Sequence, residues 1–434
     1  MEVCIICGDD KKDDNIMGKI VLINHYGVTP NMPGPSKNYD MSKFFADNYD
    51  VESEFWICGY SHYVGKMSSD LKGLKVQHIE KAGKHSVVKI KSTRYRKSAI
   101  LRQLNITVFD IITALKILFS KNIDCVIITV PPISIFNVLV TRIKKIKLIA
   151  DVEDLWPLFL EDMGMKNKLA IKYMNFGANY LYRNSDGIAT VSNGMFEYVS
   201  NIINSKNEKE MWISPLGVNT KDYFEKEKSP NLIEDKEWRD DFKIMYLGVH
   251  GRANDLISVL NTIKHYNDKF GYKINGKLIS FIFIGDGEQK LNIIDYANSL
   301  GLKNVHFEPA VPGNMVADYL VHADICLTNL MKIESFKLVR PNKLFQYMAL
   351  GKPIISGIWG EFQSIIEEFK TGINIDFTNS EIASTRIFEL IHDKEMLDSM
   401  SVNGKQYICN YGDRNKIFKE FYNHIYRILQ LEEV

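Results

Sequence analysis

Short β-branched apolar runs alternate along the chain with segments whose apolar residues recur every three or four positions. The runs are KIVLIN at 19–24, CVIITV at 125–130, KLIA at 147–150 and GIATV at 187–191. This alternation predicts parallel βαβ units. The pattern breaks around Ser214 to Pro230 and then restarts, with KIMYLG at 243–248, LISFIFIG at 278–285, VHF at 305–307, ICLT at 325–328 and PIIS at 353–356. The predicted fold class is therefore α/β, with two doubly wound domains. Ligands bind such open sheets beyond the carboxyl ends of the strands, so two of them face to face would enclose a cleft.

The break supplies Pro and Gly in SPLGVNTKDYF (214–224) and then a charged, aperiodic stretch, which places a boundary near Gly217. The expected organisation is an N-terminal extension (1–18), a first domain (19–217), a second (218–408) and a closing helix (409–434). Ile417, Phe418, Phe421, Ile425 and Ile428 give that helix one apolar side, which is expected to pack back toward the first domain. The length of 434 residues agrees with two cores rather than one.

A content of 45% apolar and 25% charged residues excludes a disordered or fibrous chain. Cys4, Cys7, Cys58, Cys125, Cys326 and Cys409 are scattered, which fits a reducing compartment. Cys4 and Cys7 have CxxC spacing, but no second pair answers them, so no metal site is predicted. The acidic and basic run Asp9 to Asp14 is unlike a signal peptide, and Met17 is a second candidate start because the first strand begins at Lys19. No 18-residue apolar window is present, and a cytoplasmic location is expected. The net charge of +1 conceals 17 Lys/Arg against 4 Asp/Glu between residues 66 and 150. Lys84, Lys89, Lys91, Arg94, Arg96, Lys97 and Arg102 precede an apolar helical stretch containing Val108, Ile111, Ile112, Leu115, Leu118 and Phe119. A basic stretch beside apolar surface suits an anionic membrane face, or is simply a solvated loop; no nucleic-acid recognition motif accompanies it.

Three glycine-bearing loops are candidate ligand contacts. Gly248 and Gly251 join a strand to a helix, and Gly285 and Gly287 end another strand, as loops that cradle phosphate do. The same glycines would serve a purely steric turn. In the first domain, Gly27, Gly34, Ser36 and Lys37 lie on a long loop ahead of a helix and are expected on the acceptor side. His25, His250 and His322 carry no metal-ligand spacing and are expected in the cleft or on the surface.

The segment 341–353 (PNKLFQYMALGKP) resembles the P-x-K-x-x-E-Y-x-A-x-G-x-P signature of family 4 (group 1) glycosyltransferases, particularly those building capsules and O-antigens. Asp154-Leu155-Trp156-Pro157, Ser185-Asp186-Gly187 with Val191-Ser192, and Pro215-Leu216-Gly217-Val218-Asn219 resemble further motifs of that family, in its order. The glycine loops and Asp324 follow the same order, so the likeness spans about residues 19 to 430. It implies the GT-B fold of two Rossmann-like domains, and retaining transfer from a nucleotide-sugar, UDP by analogy, with no cofactor and no metal. The acceptor would be lipid-linked or a glycan such as an oligosaccharide, in surface polysaccharide biosynthesis.

The same resemblance gives the site. Arg340 and Lys343 would meet the charge of the leaving diphosphate, and Gly248, Gly251, Gly285, Gly287, Val311, Asn342, Gln346 and Tyr347 would contact the donor. Gln346 stands where the family has a ribose-binding glutamate, and Val249 and Asn254 stand where many relatives carry arginine and lysine. Asp154 and Glu153, at a strand end of the first domain, would position the acceptor hydroxyl or steady the charge developing on the sugar. Two other readings remain: a nucleotide-sugar epimerase on the same fold, and a non-catalytic subunit that has lost the chemistry. A hydride-transfer enzyme is disfavoured, because neither glycine loop completes G-x-G-x-x-G with an acidic residue about 20 positions on.

Overall fold

The computed structural model describes residues 18–73, 75–95, 98–203 and 209–430. Residues 1–17, Cys4, Cys7 and Met17 among them, lie outside the described residues, as do Arg96 and Lys97. The chain forms two compact units. Unit 1 takes residues up to Pro215 and again from Asn415, and unit 2 takes Leu216–Arg414.

In unit 1, β1 (Lys19–Asn24), β2 (Glu52–Cys58), the hairpin β3 (Tyr60–Ser61) and β4 (Lys66–Met67), β5 (Gln77–Ala82) and β6 (His85–Ile90) come first. They are followed by β7 (Cys125–Val130), β8 (Lys147–Val152), β9 (Gly187–Thr190) and β10 (Glu210–Ile213). Eight of these make one sheet in the order β10-β9-β8-β7-β1-β2-β6-β5, parallel except where β5 pairs with β6. The strand order reverses beside β1, so β1 and β7 flank the switch point at which open sheets take ligands. Ile20, Leu22, Cys125, Ile127 and Ile149 face one way and form a core with Phe45 of helix Lys37–Asn48 and with Phe418, Phe421, Ile425 and Ile428 of helix Arg414–Gln430. The helices Ala99–Phe119, Ile135–Lys144 and Lys168–Asn184 lie outside that core and pack on β6 and β8, as helices covering the other face of a parallel sheet do.

Unit 2 repeats the plan with β11 (Phe242–Leu247), β12 (Lys273–Ile274), β13 (Lys277–Ile284), β14 (Val305–Glu308), β15 (Ile325–Asn329), β16 (Ile354–Gly357) and β17 (Gly372–Asn374). Its parallel order is β14-β13-β11-β15-β16-β17, with β12 antiparallel on β13. Successive residues of each strand serve opposite cores. Tyr246, Phe281 and Leu327 meet helix Leu256–Phe270, whereas Met245, Ile282 and Cys326 meet helix Asn342–Ala349. Residues buried on both faces explain why these strands read as unbroken apolar runs. Unit 2 begins and ends at one place: Val218 N–H donates to the Gly412 carbonyl (2.8 Å), and Arg414 N–H to the Val218 carbonyl (2.9 Å).

Candidate functional site

In unit 2 the loop after β11 and the loop after β13 interlock. Gly248 N–H donates to the Ile284 carbonyl (2.9 Å), and His250 N–H to the Asp286 carbonyl (2.9 Å). A Cβ on Gly285 would stand 1.8 Å from the Gly248 carbonyl oxygen, and one on Gly287 would stand 2.5 Å from that of His250. Those two glycines are required by loop-on-loop packing, with no ligand needed to explain them. Gly248 differs, because its Cβ would meet the Lys343 ammonium at 2.9 Å. Gly251 has more room, its nearest neighbour being Val249 at 3.3 Å.

Lys343 lies in the first turn of helix Asn342–Ala349, whose N-terminus no side chain caps. Its Nζ donates to Asn254 Oδ1 (3.2 Å) and Tyr246 Oη (3.3 Å), and sits 4.4 Å from the centre of the Tyr246 ring. Tyr246 Oη donates onward to the Val249 carbonyl (2.7 Å), which fixes the loop. Among the described residues no carboxylate pairs with Lys343. Desolvation in this neutral setting pushes its pKa down from 10.5 to about 7. An ammonium so placed lacks its anion, and the open helix terminus beside it attracts the same kind of group.

The remaining donor-side expectations divide. Arg340, expected beside Lys343 as a second free cation, is ion-paired with Glu361, both largely buried, so its charge is already answered. Tyr347 is fully buried; its hydroxyl accepts from Leu247 N–H (3.2 Å) and reaches the Leu247 and Leu327 carbonyls, tying helix to sheet. Gln346 Nε2 donates to Tyr223 Oη (3.0 Å), leaving its carbonyl oxygen as the acceptor for a hydroxyl. Asn342 Oδ1 is buried without a hydrogen-bond partner. Val311 packs against the core under β11. The fully buried His250, in contrast to the expected cleft or surface position, wedges between Tyr246 and Phe307. Burial, with Lys290 and Lys343 nearby, lowers its pKa to about 4, so it is neutral. His25 and His322 are buried as well.

In unit 1, Lys37 is not on the loop surface. It is 1% exposed, and its ammonium bonds both oxygens of the fully buried Asp151 (2.9 and 3.0 Å), with Glu153 at 3.4 Å. Burial alone would lower its pKa, but the two carboxylates outweigh that and raise it. Ser36 donates to Asp40 (2.9 Å), Gly34 lies against Tyr63, and Gly27 against Phe55 and Ile57. Asp154 follows β8, and desolvation together with the Glu153 charge raises its pKa to about 7. Around the strand ends stands a group that sequence reasoning missed. Arg102 donates to Tyr26 Oη (2.8 and 3.0 Å) and lies over the rings of Tyr26 and Trp156, while His62 bonds Tyr95 (2.8 Å). In sequence Arg102 belongs to the basic run, and its separation of 76 residues from Tyr26 leaves no local signal of this contact.

The basic run is less free than its composition implied. Lys84 pairs with Asp50, Lys89 with Asp70 and Glu80, and Lys91 donates to the Gly73 carbonyl. Among the described residues one cluster, Asp70, His78 and Glu80, has metal-ligand proximity, and the Lys89 ammonium already occupies it.

Solved structures of the same fold include sucrose-phosphate synthase from Thermosynechococcus elongatus, with a TM-score of 0.69 and 13% identity over 95% of this chain and 99% of that one. A trehalose-6-phosphate structure from E. coli bound with UDP-2-fluoro glucose scores 0.71 at 9% identity, over 94% and 98%. HepE from Anabaena in complex with UDP-glucose scores 0.68 at 12%, over 94% and 99%. Identities this low establish the shared fold alone, which is the α/β fold of two Rossmann-like domains. No curated protein matches the chain. Within unit 2, residues 230–407 match the model of the family described as glycosyl transferases group 1.

Proposed function

We propose that the protein is a retaining glycosyltransferase that takes a sugar from a UDP-linked donor and passes it to a glycan or lipid-linked acceptor in surface polysaccharide biosynthesis. The observation that carries this reading is Lys343, an ammonium with no carboxylate partner, held beside Gly248 at an open helix N-terminus. A nucleoside diphosphate supplies the missing negative charge, and the charge-assisted bonds it gains strengthen as the sugar bond breaks and charge builds on the leaving oxygen. The match of residues 230–407 to the group 1 transferases and the UDP-sugars named for two structures of the same fold support the choice of donor. In this reading Lys343 does the work a metal ion does elsewhere, and Gln346 accepts from a ribose hydroxyl. Asp154 and Glu153 serve the acceptor side, and Arg340 acts by holding the loop through Glu361.

A thermal-shift screen of UDP-, GDP- and ADP-sugars tests the donor assignment. A ligand at about 100 times its dissociation constant adds about 2.7 kcal/mol of stability. A shift with UDP-sugars and transfer only when an acceptor is added are expected. Turnover of donor without acceptor would mark an epimerase, binding without turnover a non-catalytic subunit, and no shift with any nucleotide sugar ends the proposal.

A further inference from the structure

The helix Ala99–Phe119 is apolar on two opposite sides. Ile106, Phe109 and Ile117 are buried against the sheet. Ile100, Leu104, Ile111, Leu115 and Leu118 recur at helical spacing on the side turned away, and all are exposed, Ile100 by 82%. A helix apolar all round is normally enclosed. The neighbouring helices repeat the arrangement: Phe136, Leu139 and Ile143 are exposed on Ile135–Lys144, and Leu169, Tyr173 and Phe176 on Lys168–Asn184. The first helix packs on the second and the second on the third. Three outward stripes therefore share one face of unit 1, where solvated proteins carry polar residues.

The charges on this face are predominantly positive. Asp110 is the only carboxylate on the three helices, and it is buried, accepting from Phe136 N–H (3.0 Å), Asn137 N–H (3.2 Å) and Asn137 Nδ2 (2.6 Å). The exposed charged residues of the helices and their adjoining turns are Lys121, Arg142, Lys145, Lys166, Lys168, Lys172 and Arg183. Glu161 and Asp162, on the short helix Leu158–Asp162, are the nearest exposed acids in sequence to the third helix. A second copy of this face would set these seven cations mostly against cations, with Glu161, Asp162 and the Arg142-paired Asp186 too few to answer them, which opposes self-association through it.

We propose that these three helices lie on an anionic lipid bilayer, their apolar stripes entering the boundary between headgroups and acyl chains and the lysines and arginines meeting the lipid phosphates. The inference shares with the proposed function the idea of a lipid-linked acceptor, but its support comes from unit 1 alone. It also moves the lipid contact away from the run at 84–102, whose lysines Lys84, Lys89 and Lys91 are engaged within the fold.

Flotation of the full chain with vesicles tests it, in the absence of any donor. Vesicles containing phosphatidylglycerol should carry at least about tenfold more protein than vesicles of phosphatidylcholine alone, and added salt should reverse the difference. The double variant Leu169→Glu with Phe176→Glu, and separately Lys168→Glu with Lys172→Glu, should each lose most of that binding while keeping the wild-type melting temperature. Equal flotation of both variants, or no preference for phosphatidylglycerol, overturns the proposal. So does a wild-type dimer in sedimentation velocity that the Leu169/Phe176 variant converts to monomer. Nucleotide-sugar thermal shifts on the same proteins keep the two readings apart: flotation without a shift defeats the donor assignment alone, and a shift without flotation defeats this one alone.

Discussion

Lys343 Nζ donates to Asn254 Oδ1 across 3.2 Å, although the two residues are 89 positions apart. Where the resemblance places a second cation, this chain has a neutral amide that accepts from the first. The consequence is a single uncompensated charge, which sets the first prediction. Lys343→Met should weaken UDP binding by at least about tenfold, the worth of one charge-assisted hydrogen bond. The melting temperature of the free protein should hold or rise, because a desolvated cation has gone. Calorimetric titration and melting curves on both proteins check the two halves.

The same lysine makes stability depend on pH. Its folded pKa lies near 7 and its ordinary value is 10.5, so across that window the unfolded chain holds a proton that the folded chain has released. Wild-type stability should therefore climb with pH from about 7 toward 10, relative to Lys343→Met in the same buffers. Denaturant titrations at several pH values show whether the difference between the proteins has that slope.

Asp154 behaves oppositely. Its folded pKa is raised from 3.8 to about 7 by desolvation and Glu153, so the stability of its neutral form is complete below 3.8 and is lost as pH rises through 7. Asp154→Asn should match wild type in acid and exceed it at pH 8. If the carboxylate serves the acceptor side, transfer at saturating donor should fall more than about tenfold in the variant, which would also lose the rise in rate near pH 7. Full activity in the variant removes Asp154 from the mechanism.

Two glycines separate binding from folding. Gly285→Ala would drive a methyl into the Gly248 carbonyl at 1.8 Å and should destabilise unit 2 by about 2 kcal/mol or more. Gly248→Ala meets the flexible end of Lys343 instead of backbone, so beside the strain of its φ of 158° it should cost UDP affinity by displacing that ammonium. Paired measurements of unfolding midpoint and dissociation constant should rank the variants in opposite orders.

Lys37 and Asp151 make the fifth case. Lys37→Met would leave Asp151 buried and uncompensated, a loss of about 3–5 kcal/mol. Lys37→Met with Asp151→Leu should recover much of it, as apolar replacement of a whole buried pair often does. A double variant no more stable than the single one would show that the pair matters for more than charge balance.

Strands such as KIVLIN and LISFIFIG were legible because burial on both faces leaves an unbroken local signal. ESEFWIC at 52–58 escaped because Glu52 and Glu54, which answer Lys19, interrupt its apolar run. Lys343 was legible through the motif around it. Its setting was not, because Tyr246 and Asn254 reach it from 97 and 89 residues away. Lys37 misled for the same reason, since Asp151 lies 114 positions on and only the closed sheet brings them together. The donor-loop glycines looked alike in sequence, and three-dimensional packing alone separates Gly248 from Gly285.

The placement of the last helix also bears on synthesis. Phe418, Phe421, Ile425 and Ile428 close an apolar sheet face that begins with Ile20 and Leu22, and the whole of unit 2 is encoded between them. On a ribosome, which delivers the chain from its N-terminus, unit 2 has all its residues before unit 1 receives its final cover. The nascent first unit must therefore wait with that face unsealed while nearly two hundred further residues emerge, which makes the interval between β10 and the last helix its period of greatest exposure to aggregation.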